Sequence, residues 1–318
     1  MITPQTRVRA EQNPLPTSPL VTAIVPSRGR PLLLQRAIRS ITYQDYDGPI
    51  ECLVVYDGDD APAPAETLQG QRSLRAIRNT RTPGAAGARN TGALAARGEF
   101  LAFCDDDDEW LPEKLQRQVD ALAKRDAAVA TSGIYVSYRG RLVARVPATT
   151  TVTFASLLRS RRADMHTSTF VVRRRHFIET LGLFDESIPG SFGEDYEFLL
   201  RAAREAPICA VDEPLARVYW HDSSWFVEQW DLLVEAMTYL IAKYPEFERE
   251  RRGLARIFGQ MAFAHAAARR RRTSLATALR CLRLDPRQPR AYIALLIAAG
   301  ALSPDAVLAA LRARGRGI

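Results

Sequence analysis

The stretch GAAGARNTGALAARGEFLAFCDDDDEWLPEKLQRQV, residues 84–119, decides how the rest of the sequence is interpreted. It predicts a helix of small residues over Ala85–Arg97 and a buried apolar strand over Glu99–Cys104. The strand runs directly into four consecutive aspartates, Asp105–Asp108, and then into Trp-Leu-Pro and a second helix. A helix, a buried strand and polar residues at the strand end are typical of one repeating unit of an α/β domain.

The residues upstream repeat this alternation of apolar runs and helical patterns. VTAIV ends at Pro26 and IECLVVY ends at Asp57, so a turn-forming residue terminates each run. We therefore predict an α/β fold with a mostly parallel sheet flanked by helices, and ligands bind such sheets beyond the C-terminal ends of the strands. The elements predicted before residue 84 are strands over Val21–Val25, Ile50–Tyr56 and Leu74–Arg78 and a helix over Pro31–Ile41.

The pattern downstream is mixed and then becomes helical throughout. After Trp225 the spacing of apolar residues is that of helices, and Ala276–Ala294 resembles the turn of a helical hairpin. The elements predicted between residues 113 and 219 are a helix over 113–125, a strand hairpin over Ala127–Arg145, a helix over 153–160, a strand over Ser168–Val172, a helix over Glu194–Glu205, and strands over Pro207–Ala210 and Ala216–Tyr219.

The composition is that of a folded protein. The 318 residues are 47% hydrophobic and 25% charged, enough apolar material for a sizeable core. Cys52, Cys104, Cys209 and Cys281 form no CxxC or Cys/His pair, which argues against a structural zinc site and for a reducing compartment. The polar N-terminus lacks the pattern of a signal peptide, and the longest apolar run, 291–302, is shorter than the ~20 residues of a membrane span. These features predict a cytoplasmic protein.

The aspartates at the strand end have two interpretations. Adjacent carboxylates repel one another at neutral pH, so one interpretation is a solvated loop that also caps the next helix. The other is a hard-cation site, because Mg²⁺ and Mn²⁺ prefer carboxylate oxygens and usually share their shell with substrate phosphates. The buried strand in front of Asp105 would hold the carboxylates rigidly, which favours the second interpretation.

A second acidic pair, Glu194 and Asp195, opens a predicted helix. Capping is one explanation, because the helix dipole stabilises carboxylates at a helix N-terminus. The other is a general base that removes a proton from an acceptor hydroxyl. His221, in VYWHDSSW, is a structural histidine unless it reaches the aspartates, where a neutral imidazole can complete a metal shell. No other histidine, His166 included, has a comparable sequence context.

Residues 20–225 resemble a family 2 glycosyltransferase, a nucleotide-diphospho-sugar transferase with the GT-A fold. The segment 84–119 resembles the family's Gly-x-x-x-Ala-Arg-Asn-x-Gly sequence followed by its Asp-x-Asp strand end. VTAIVPSRGRP resembles the first strand with its nucleotide-side loop, and LVVYDGDD the strand that ends in Asp-Asp-Gly-Ser. FVVRRRHFIETLGLFDESIPGSFGEDYEFLLRAA resembles the acceptor half. The resemblance implies a nucleotide-sugar half over 20–112 and an acceptor half over 113–225, after a flexible lead-in over 1–19.

The resemblance implies a metal ion and its ligands. Asp105 would meet the ribose, and Asp107 would bind the divalent cation, Mn²⁺ or Mg²⁺. Because four aspartates leave the register of Asp-x-Asp open, Asp106 and Asp108 are alternative ligands. His221 stands where many members place a histidine that approaches the metal or the diphosphate.

The resemblance also implies residues for the nucleotide. Pro26 and Arg28 belong to the nucleotide-side loop, Asp57 would contact the base, and Arg89 would help to hold the nucleotide. The sequence departs from the family at Tyr56, where an aspartate is usual, so the identity of the base stays open, with a UDP- or dTDP-sugar as the prediction. A further departure is Asp59-Asp60, which replaces the usual serine.

The resemblance assigns the chemistry of transfer to the second acidic pair. Asp195 matches the family's catalytic base, and Glu194 stands beside it. In-line attack by the acceptor hydroxyl would invert the anomeric centre, so the implied activity is that of an inverting hexosyltransferase. The acceptor would be a glycan, a glycolipid or another hydroxyl compound, in the synthesis of cell-surface polysaccharide or a related glycoconjugate.

Residues 226–318 form a basic helical extension. From Glu246 onward there are 15 Lys/Arg and 5 Asp/Glu, whereas residues 1–245 have 29 and 31. The helices could be an appendage packed on the catalytic domain, a surface for anionic lipid headgroups or a lipid-linked acceptor at the inner face of the membrane, or a nucleic-acid site. Nucleic acid is disfavoured, because no recognition motif accompanies the arginines. Dimerisation through these helices stays open.

Two other functions of different class remain as alternatives. A nucleotidyltransferase also uses an α/β sheet and a metal, but it requires a Gly-rich basic loop near the first strand, and PSRGRP is too short and too poor in glycine. A catalytically inactive GT-A-like binding module is the other alternative. Turnover of any nucleotide sugar would exclude it.

Overall fold

A computed structural model describes residues 18–58, 66–67, 70–162, 164–220 and 229–315. His221, the Asp59-Asp60 pair and nearly all of the predicted lead-in lie outside these ranges. Within them, the strands are β1 (Val21–Ser27), β2 (Ile50–Tyr56), β3 (Glu66–Thr67), β4 (Arg72–Arg78), β5 (Phe100–Phe103), β6 (Glu109–Trp110), β7 (Val129–Tyr138), β8 (Arg141–Arg145), β9 (Thr151–Val152), β10 (Val171–Arg173) and β11 (Ile208–Tyr219).

The helices of the same ranges cover the sheet and form the C-terminal region. Short 3₁₀ turns at Thr167–Thr169, Pro189–Ser191 and Pro245–Glu248 join some of them. The α-helices are α1 (Pro31–Thr42), α2 (Ala85–Ala95), α3 (Lys114–Arg125), α4 (Phe154–Arg159), α5 (Arg174–His176), α6 (Glu194–Glu205), α7 (Trp230–Lys243), α8 (Arg251–Ala267), α9 (Arg271–Leu284), α10 (Pro289–Ala298) and α11 (Pro304–Arg312).

The sheet is mixed, and its parallel part is the predicted one. The strand order is β3-β4-β2-β1-β5-β10-β7-β11-β6, and β4, β2, β1 and β5 pair in parallel. β10 is antiparallel to both β5 and β7, whereas β7 and β11 are parallel to each other. The parallel strands end at one edge, so the residues that follow β1, β2 and β5 meet there.

Side chains of the central strands alternate between two apolar cores, one on each face of the sheet. Ile24, Leu53 and Leu101 belong to one core, and Ala23 and Cys52 to the other. Burial on both faces explains why β1, β2 and β5 read as continuous apolar runs rather than as alternating patterns. The predicted boundaries of these strands and their helices agree with the structure to within a few residues.

Three predicted strands differ from the observed ones. The strand expected over Ser168–Val172 begins only at Val171, because the preceding residues turn in a 3₁₀ conformation. The segments Pro207–Ala210 and Ala216–Tyr219 belong to one long strand, β11, whose register on β7 shifts on both sides of Pro214. A proline has no N–H to donate to the sheet, so the sequence pattern suggested a break where the structure has a bulge.

The helical extension shares a core with the sheet domain. Phe258 and Phe263 of α8 lie in the same apolar cluster as Phe198 of α6 and Leu157 of α4. α8, α9 and α10 pack against one another, and the predicted helical hairpin is α9 followed by α10. In the ranges given above, no helix has the length and apolarity that crossing a bilayer requires.

Candidate active site

The four aspartates after β5 divide into two pairs with different partners. Asp106 is buried, accepts a hydrogen bond from Ser27 Oγ at 2.8 Å and pairs with Arg30. Asp107 is partly exposed and pairs with Arg30 Nη1 at 2.7 Å. These two neighbouring like charges are therefore tolerated because they share the guanidinium of Arg30.

Asp105 and Asp108 converge on a histidine from another part of the chain. Asp105, Asp108 and His166 each offer a ligand atom, and these atoms lie within 4.8 Å of one another. His166 Nδ1 is 3.4 Å from Asp108 Oδ2, and His166 Nε2 is 4.0 Å from Asp105 Oδ2. Two carboxylates and an imidazole suit Mn²⁺ or Mg²⁺. With metal–oxygen distances of about 2.1 Å, two ligands on opposite sides of such an ion are about 4.2 Å apart.

Ser168 ties this cluster together. Its Oγ accepts a hydrogen bond from the Asp105 backbone N–H at 3.0 Å and donates one to Asp108 Oδ2 at 2.5 Å. The Tyr219 N–H of β11 donates to the other Asp108 oxygen at 3.3 Å. The cluster is therefore built from residues at β5, β10 and β11 and not from the aspartate loop alone.

The electrostatics of the two carboxylates differ. Burial, with the negative charges of Asp105 and Asp107, raises the pKa of Asp108 well above its usual range. Burial also opposes ionisation of Asp105, but the guanidinium of Arg89 and the imidazole of His166 lower its pKa below the ordinary value. A divalent cation would reverse the cost of ionising Asp108, so the donor set fits a metal ion.

Arg89 connects the predicted nucleotide half to the predicted acceptor half. Its guanidinium is buried and lies 2.6 Å from Asp105 Oδ1 through Nη2 and 2.6 Å from Glu194 Oε1 through Nη1. Asp105 and Glu194 are far apart in the sequence, yet both contact the guanidinium of Arg89. Asp195, next to Glu194, is held by Arg161 at 3.0 Å.

The two adjacent carboxyls at the start of α6 have opposite pKa shifts. Burial, reinforced by the charge of Asp195, raises the pKa of Glu194 despite its contact with Arg89. Burial acts the same way on Asp195, but Arg161 and His166 outweigh it and lower the Asp195 pKa. Environments that separate the pKa values of neighbouring groups are a mark of acid–base sites.

The Gly-Ala-Arg-Asn segment is shaped by close contacts. A Cβ on Gly87 would lie 1.9 Å from the carbonyl oxygen of Thr82, so only glycine fits there. Asn90 donates to the Phe184 carbonyl at 2.9 Å and to Glu186 Oε1 at 2.6 Å, and it accepts from the Phe184 N–H at 2.8 Å. This segment therefore anchors both the aspartate strand end and the Phe-Asp-Glu sequence.

The predicted nucleotide-side residues lie along the same edge. Asp57 follows β2 and accepts hydrogen bonds from Asn79 Nδ2 and the Gly84 N–H, both at 2.8 Å. Pro26 lies in β1 beside Val55 of β2, and Arg28 is exposed in the loop that follows β1. These residues border the carboxylate cluster at the C-terminal ends of parallel strands, where α/β sheets bind ligands.

Sequence reasoning missed His166 and Arg161. No motif surrounds either residue, and His166 was expected to have no role comparable to that of His221. β10 runs antiparallel to β5, so the residues before β10 lie beside the end of β5, where Asp105 begins. The direction of that one strand was the signal that could have found His166.

Comparison with known proteins agrees with the geometry. The sequence model of the family described as Glycosyl transferase family 2 matches residues 22–181. The chain belongs to this family. The succinoglycan biosynthesis protein ExoO of Rhizobium meliloti (strain 1021) is 33% identical over 218 residues, 64% of this chain and 61% of that protein.

A second relative of this family 2 member has a more specific name. The Escherichia coli protein named UDP-Glc:alpha-D-GlcNAc-diphosphoundecaprenol beta-1,3-glucosyltransferase WfgD is 30% identical over 142 residues, 44% of this chain and 56% of that protein. The chain thus spans about three fifths or less of the length of these two relatives.

Solved structures confirm the GT-A fold of this family 2 chain. S. aureus TarS 1-349 in complex with UDP-GlcNAc aligns with a TM-score of 0.57, over 93% of this chain and 92% of that one. The two sequences are 16% identical, so the likeness concerns the fold. The alignment extends beyond the sheet domain, since it covers nearly the whole chain.

Proposed function

We propose that this protein is a metal-dependent, inverting hexosyltransferase that moves a sugar from a UDP- or dTDP-sugar to an acceptor hydroxyl. The observation that carries the proposal is the meeting of Asp105, Asp108 and His166 at the end of β5, joined through Arg89 to the Glu194-Asp195 pair. A cation site next to a carboxylate pair combines the two requirements of the reaction: stabilisation of a departing diphosphate and deprotonation of an acceptor.

Asp105, Asp108 and His166 would hold the divalent ion. When bound, Mn²⁺ or Mg²⁺ stabilises the negative charge that develops on a departing nucleoside diphosphate. Asp107, the ligand that the family resemblance implies, instead pairs with Arg30, and His221 lies outside the described residues. We therefore prefer the register that uses Asp108, the alternative named with Asp106 from the sequence.

The nucleotide would lie along the edge formed by β1 and β2. Asp57 would contact the base, with Pro26 and Arg28 lining the same loop side, and Arg89 would bring positive charge toward the phosphates while it orients Asp105. Asp105 is the more exposed of the two carboxylates and would face the ribose, whereas Asp108 is almost fully buried and would approach the cation from the protein side.

Asp195 would act as the general base. The acceptor hydroxyl gives its proton to an Asp195 carboxylate oxygen as its own oxygen attacks the anomeric carbon opposite the diphosphate, which inverts that centre. Arg161 keeps the carboxylate ionised at neutral pH and fixes its direction. Glu194 forms an ion pair with Arg89. This ion pair would fix the position of the first turn of α6, which contains Asp195.

The names of the relatives support a polysaccharide acceptor. One relative is named for succinoglycan biosynthesis and another for transfer to a diphosphoundecaprenol-linked sugar. We propose by analogy a glycan or lipid-linked acceptor, assembled on the cytoplasmic side of the membrane.

Thermal unfolding with UDP, dTDP and GDP, each with and without Mn²⁺, tests the donor site. A ligand at about 100 times its Kd adds ~2.7 kcal/mol of stability, which a melting shift reveals. We expect one uridine or thymidine diphosphate to stabilise the protein only with metal, and Asp108→Asn to abolish the shift. Glu113→Gln, an exposed residue paired with Arg117, is the matched control. No shift with any nucleotide would overturn the proposed donor site.

Transfer itself is tested by incubation with UDP- and dTDP-sugars and a lipid-diphosphate-linked sugar acceptor. We expect a product whose anomeric configuration, read by NMR coupling constants, is opposite to that of the donor. Asp195→Asn should retain the nucleotide-induced melting shift and lose transfer. A product that retains the donor configuration would overturn the assignment of Asp195 as the base for in-line attack.

A further inference from the structure

The C-terminal helices carry an excess of positive charge that the proposed reaction does not use. Residues 269–315 contain ten arginines and two aspartates, Asp285 and Asp305. Five of the ten arginines belong to α9 and α10, which pack against α8 and each other.

The outward face of α9 carries leucines. Its inward residues Ser274, Ala278 and Cys281 are buried, whereas Leu275 and Leu279 are 48% and 45% exposed. The two leucines are four positions apart, which places them one above the other on the same side of the helix. An exposed leucine alone needs no explanation, but this pair is surrounded by arginines.

Arginines flank the leucine pair on the same side of α9. At about 100° per residue, Arg271, Arg272 and Arg283 fall beside Leu275 and Leu279 on the helix surface. All three arginines are exposed, and in the part of the chain that the structure describes none has a carboxylate within the 4.0 Å of an ion pair. By contrast, the neighbouring Arg270 pairs with Asp231 at 2.6 Å.

The next helix also exposes apolar side chains. Tyr292 and Leu296 of α10, again four positions apart, are 48% and 46% exposed, opposite the buried Ala291 and Ala294. Between Arg290 and Ser303 the sequence has no charged residue. The exposed surface of the hairpin therefore carries leucines and a tyrosine, and the exposed side of α9 carries arginines as well.

We propose that the outward face of the α9–α10 hairpin docks on the surface of an anionic lipid bilayer. Anionic headgroups supply the countercharge that the arginines lack, and the boundary of the acyl region takes up the leucines and the tyrosine ring. Nucleic acid would satisfy the arginines but not the leucines. A second copy of the same face would set two arginine bands against each other, which Coulomb repulsion disfavours.

This inference rests on the proposed function and deepens it. A lipid-linked acceptor lies in the membrane surface on which the hairpin would dock. Its test does not require turnover. The full chain is sedimented with phosphatidylcholine vesicles that contain either no or about one third phosphatidylglycerol. We expect binding to the anionic vesicles, at least tenfold weaker binding to the neutral ones, and a further weakening as salt is raised.

Variants separate docking from general charge attraction. Leu275→Glu with Leu279→Glu should weaken anionic-vesicle binding at least tenfold, as should Arg272→Glu with Arg283→Glu. Leu94→Glu, on α2 and 47% exposed, is the matched control and should bind as the unaltered protein does. The variant positions are exposed, so unchanged thermal unfolding verifies that each variant is folded.

Several outcomes would overturn the proposal. They are equal binding to neutral and anionic vesicles, no binding to either, or a leucine double variant that binds as tightly as the unaltered protein. Light scattering that detects a dimer abolished by the leucine double variant would assign the face to a second copy. If vesicle binding fails while the nucleotide and Mn²⁺ melting shift persists, the docking surface is wrong and the proposed function stands. The reverse pattern would leave the docking surface and remove the donor site.

Discussion

The Arg161 guanidinium holds both carboxylate oxygens of Asp195, with Nη2 3.0 Å from Oδ1 and 3.1 Å from Oδ2. The pair lies at the start of α6, beside Glu194 and the Arg89 bridge. An ion pair of this kind makes Asp195 a carboxylate throughout the neutral pH range, and it also limits how strongly that carboxylate attracts a proton. Arg161 is therefore a positioning residue for the proposed base, and its effect can be measured.

Removal of Arg161 should change the pH dependence of transfer. The ion pair lowers the Asp195 pKa, so Arg161→Ala should raise it. Because protonation of the base stops transfer, activity should then begin to fall at a higher pH as the solution is acidified. We expect the acid limb of kcat/KM to move to higher pH, and to move less in Arg161→Lys. Arg159→Ala, whose partner is Glu250, is the control. An unaltered profile in Arg161→Ala would show that Asp195 is not the titrating base.

The metal register can be decided between Asp107 and Asp108. Asp108 lies in the cluster with Asp105 and His166, whereas Asp107 pairs with Arg30. We expect Asp108→Asn and His166→Ala to weaken Mn²⁺ binding at least tenfold, measured by calorimetry with UDP present, and Asp107→Asn to weaken it less than threefold. A larger loss from Asp107→Asn than from Asp108→Asn would favour the register implied by the family resemblance.

The Arg89 bridge should be necessary for stability as well as for the site. Arg89→Met leaves Glu194 and Asp105 without their buried cation, and breaking a buried ion pair costs about 3–5 kcal/mol. Urea unfolding at neutral pH measures the loss, which should shrink in the double variant Arg89→Met with Glu194→Gln. Arg117→Ala breaks an exposed pair with Glu113 and should cost less than about 1 kcal/mol. Equal losses of stability in Arg89→Met and Arg117→Ala would contradict the buried position of the Arg89 ion pairs.

Lys114 is a buried amine whose removal should stabilise the protein. It lies 4.1 Å from the Trp110 ring centre, and its Nζ has no hydrogen-bond partner in the residues described. Burial lowers the Lys114 pKa to about 7. From about pH 7 up to the ordinary value near 10.5 the folded state therefore binds fewer protons than the unfolded state, and stability rises with pH.

The corresponding experiment compares Lys114→Met with the unaltered protein at two pH values. We expect Lys114→Met to raise the free energy of unfolding by about 2 kcal/mol at pH 6.5 and by less near pH 10. Lys124→Met, exposed on the same helix, should change it little. If Lys114→Met destabilises the protein at pH 6.5, the contact of the amine with the Trp110 ring outweighs the cost of its burial.

Glu186 should contribute stability that is lost in acid. Burial opposes its ionisation, but hydrogen bonds from Arg81, Asn90 and Thr82 lower the Glu186 pKa to about 2. The stabilisation is present above the ordinary pKa near 4.5 and disappears as the pH falls toward about 2. We expect Glu186→Gln to cost about 1 kcal/mol at pH 7, after allowance for solvent screening, and nothing at pH 2. A cost that does not change with pH would indicate lost packing.

The fold was largely predictable from local patterns. Apolar runs that end at Pro26, Asp57 and Asp105 identified the three central strands, because strands buried on both faces of a parallel sheet are continuously apolar. The helix of small residues that contains Gly87 followed from composition. β11 was less predictable, since Pro214 interrupts the pattern of a strand that the sheet continues through a bulge.

The site was predictable only where the residues are neighbours in the chain. The aspartate run, the Arg89 segment and the Glu194-Asp195 pair were all found, because each belongs to a recognisable local sequence. His166 and Arg161 were not predicted, because the direction of a strand and the path of a loop bring them to the site. No spacing along the chain encodes the 3.4 Å between His166 and Asp108.

The amino-acid sequence by itself determined the family, the α/β class and the edge of the sheet that carries the carboxylates, because hydrophobic periodicity and short motifs are local properties. Only the tertiary structure decided which aspartates lie beside His166, which guanidinium holds Asp195, and that Arg89 joins two distant carboxylates. The physical reason is that charge–charge energies depend on separation in space and on burial, and both are set by how distant strands pair.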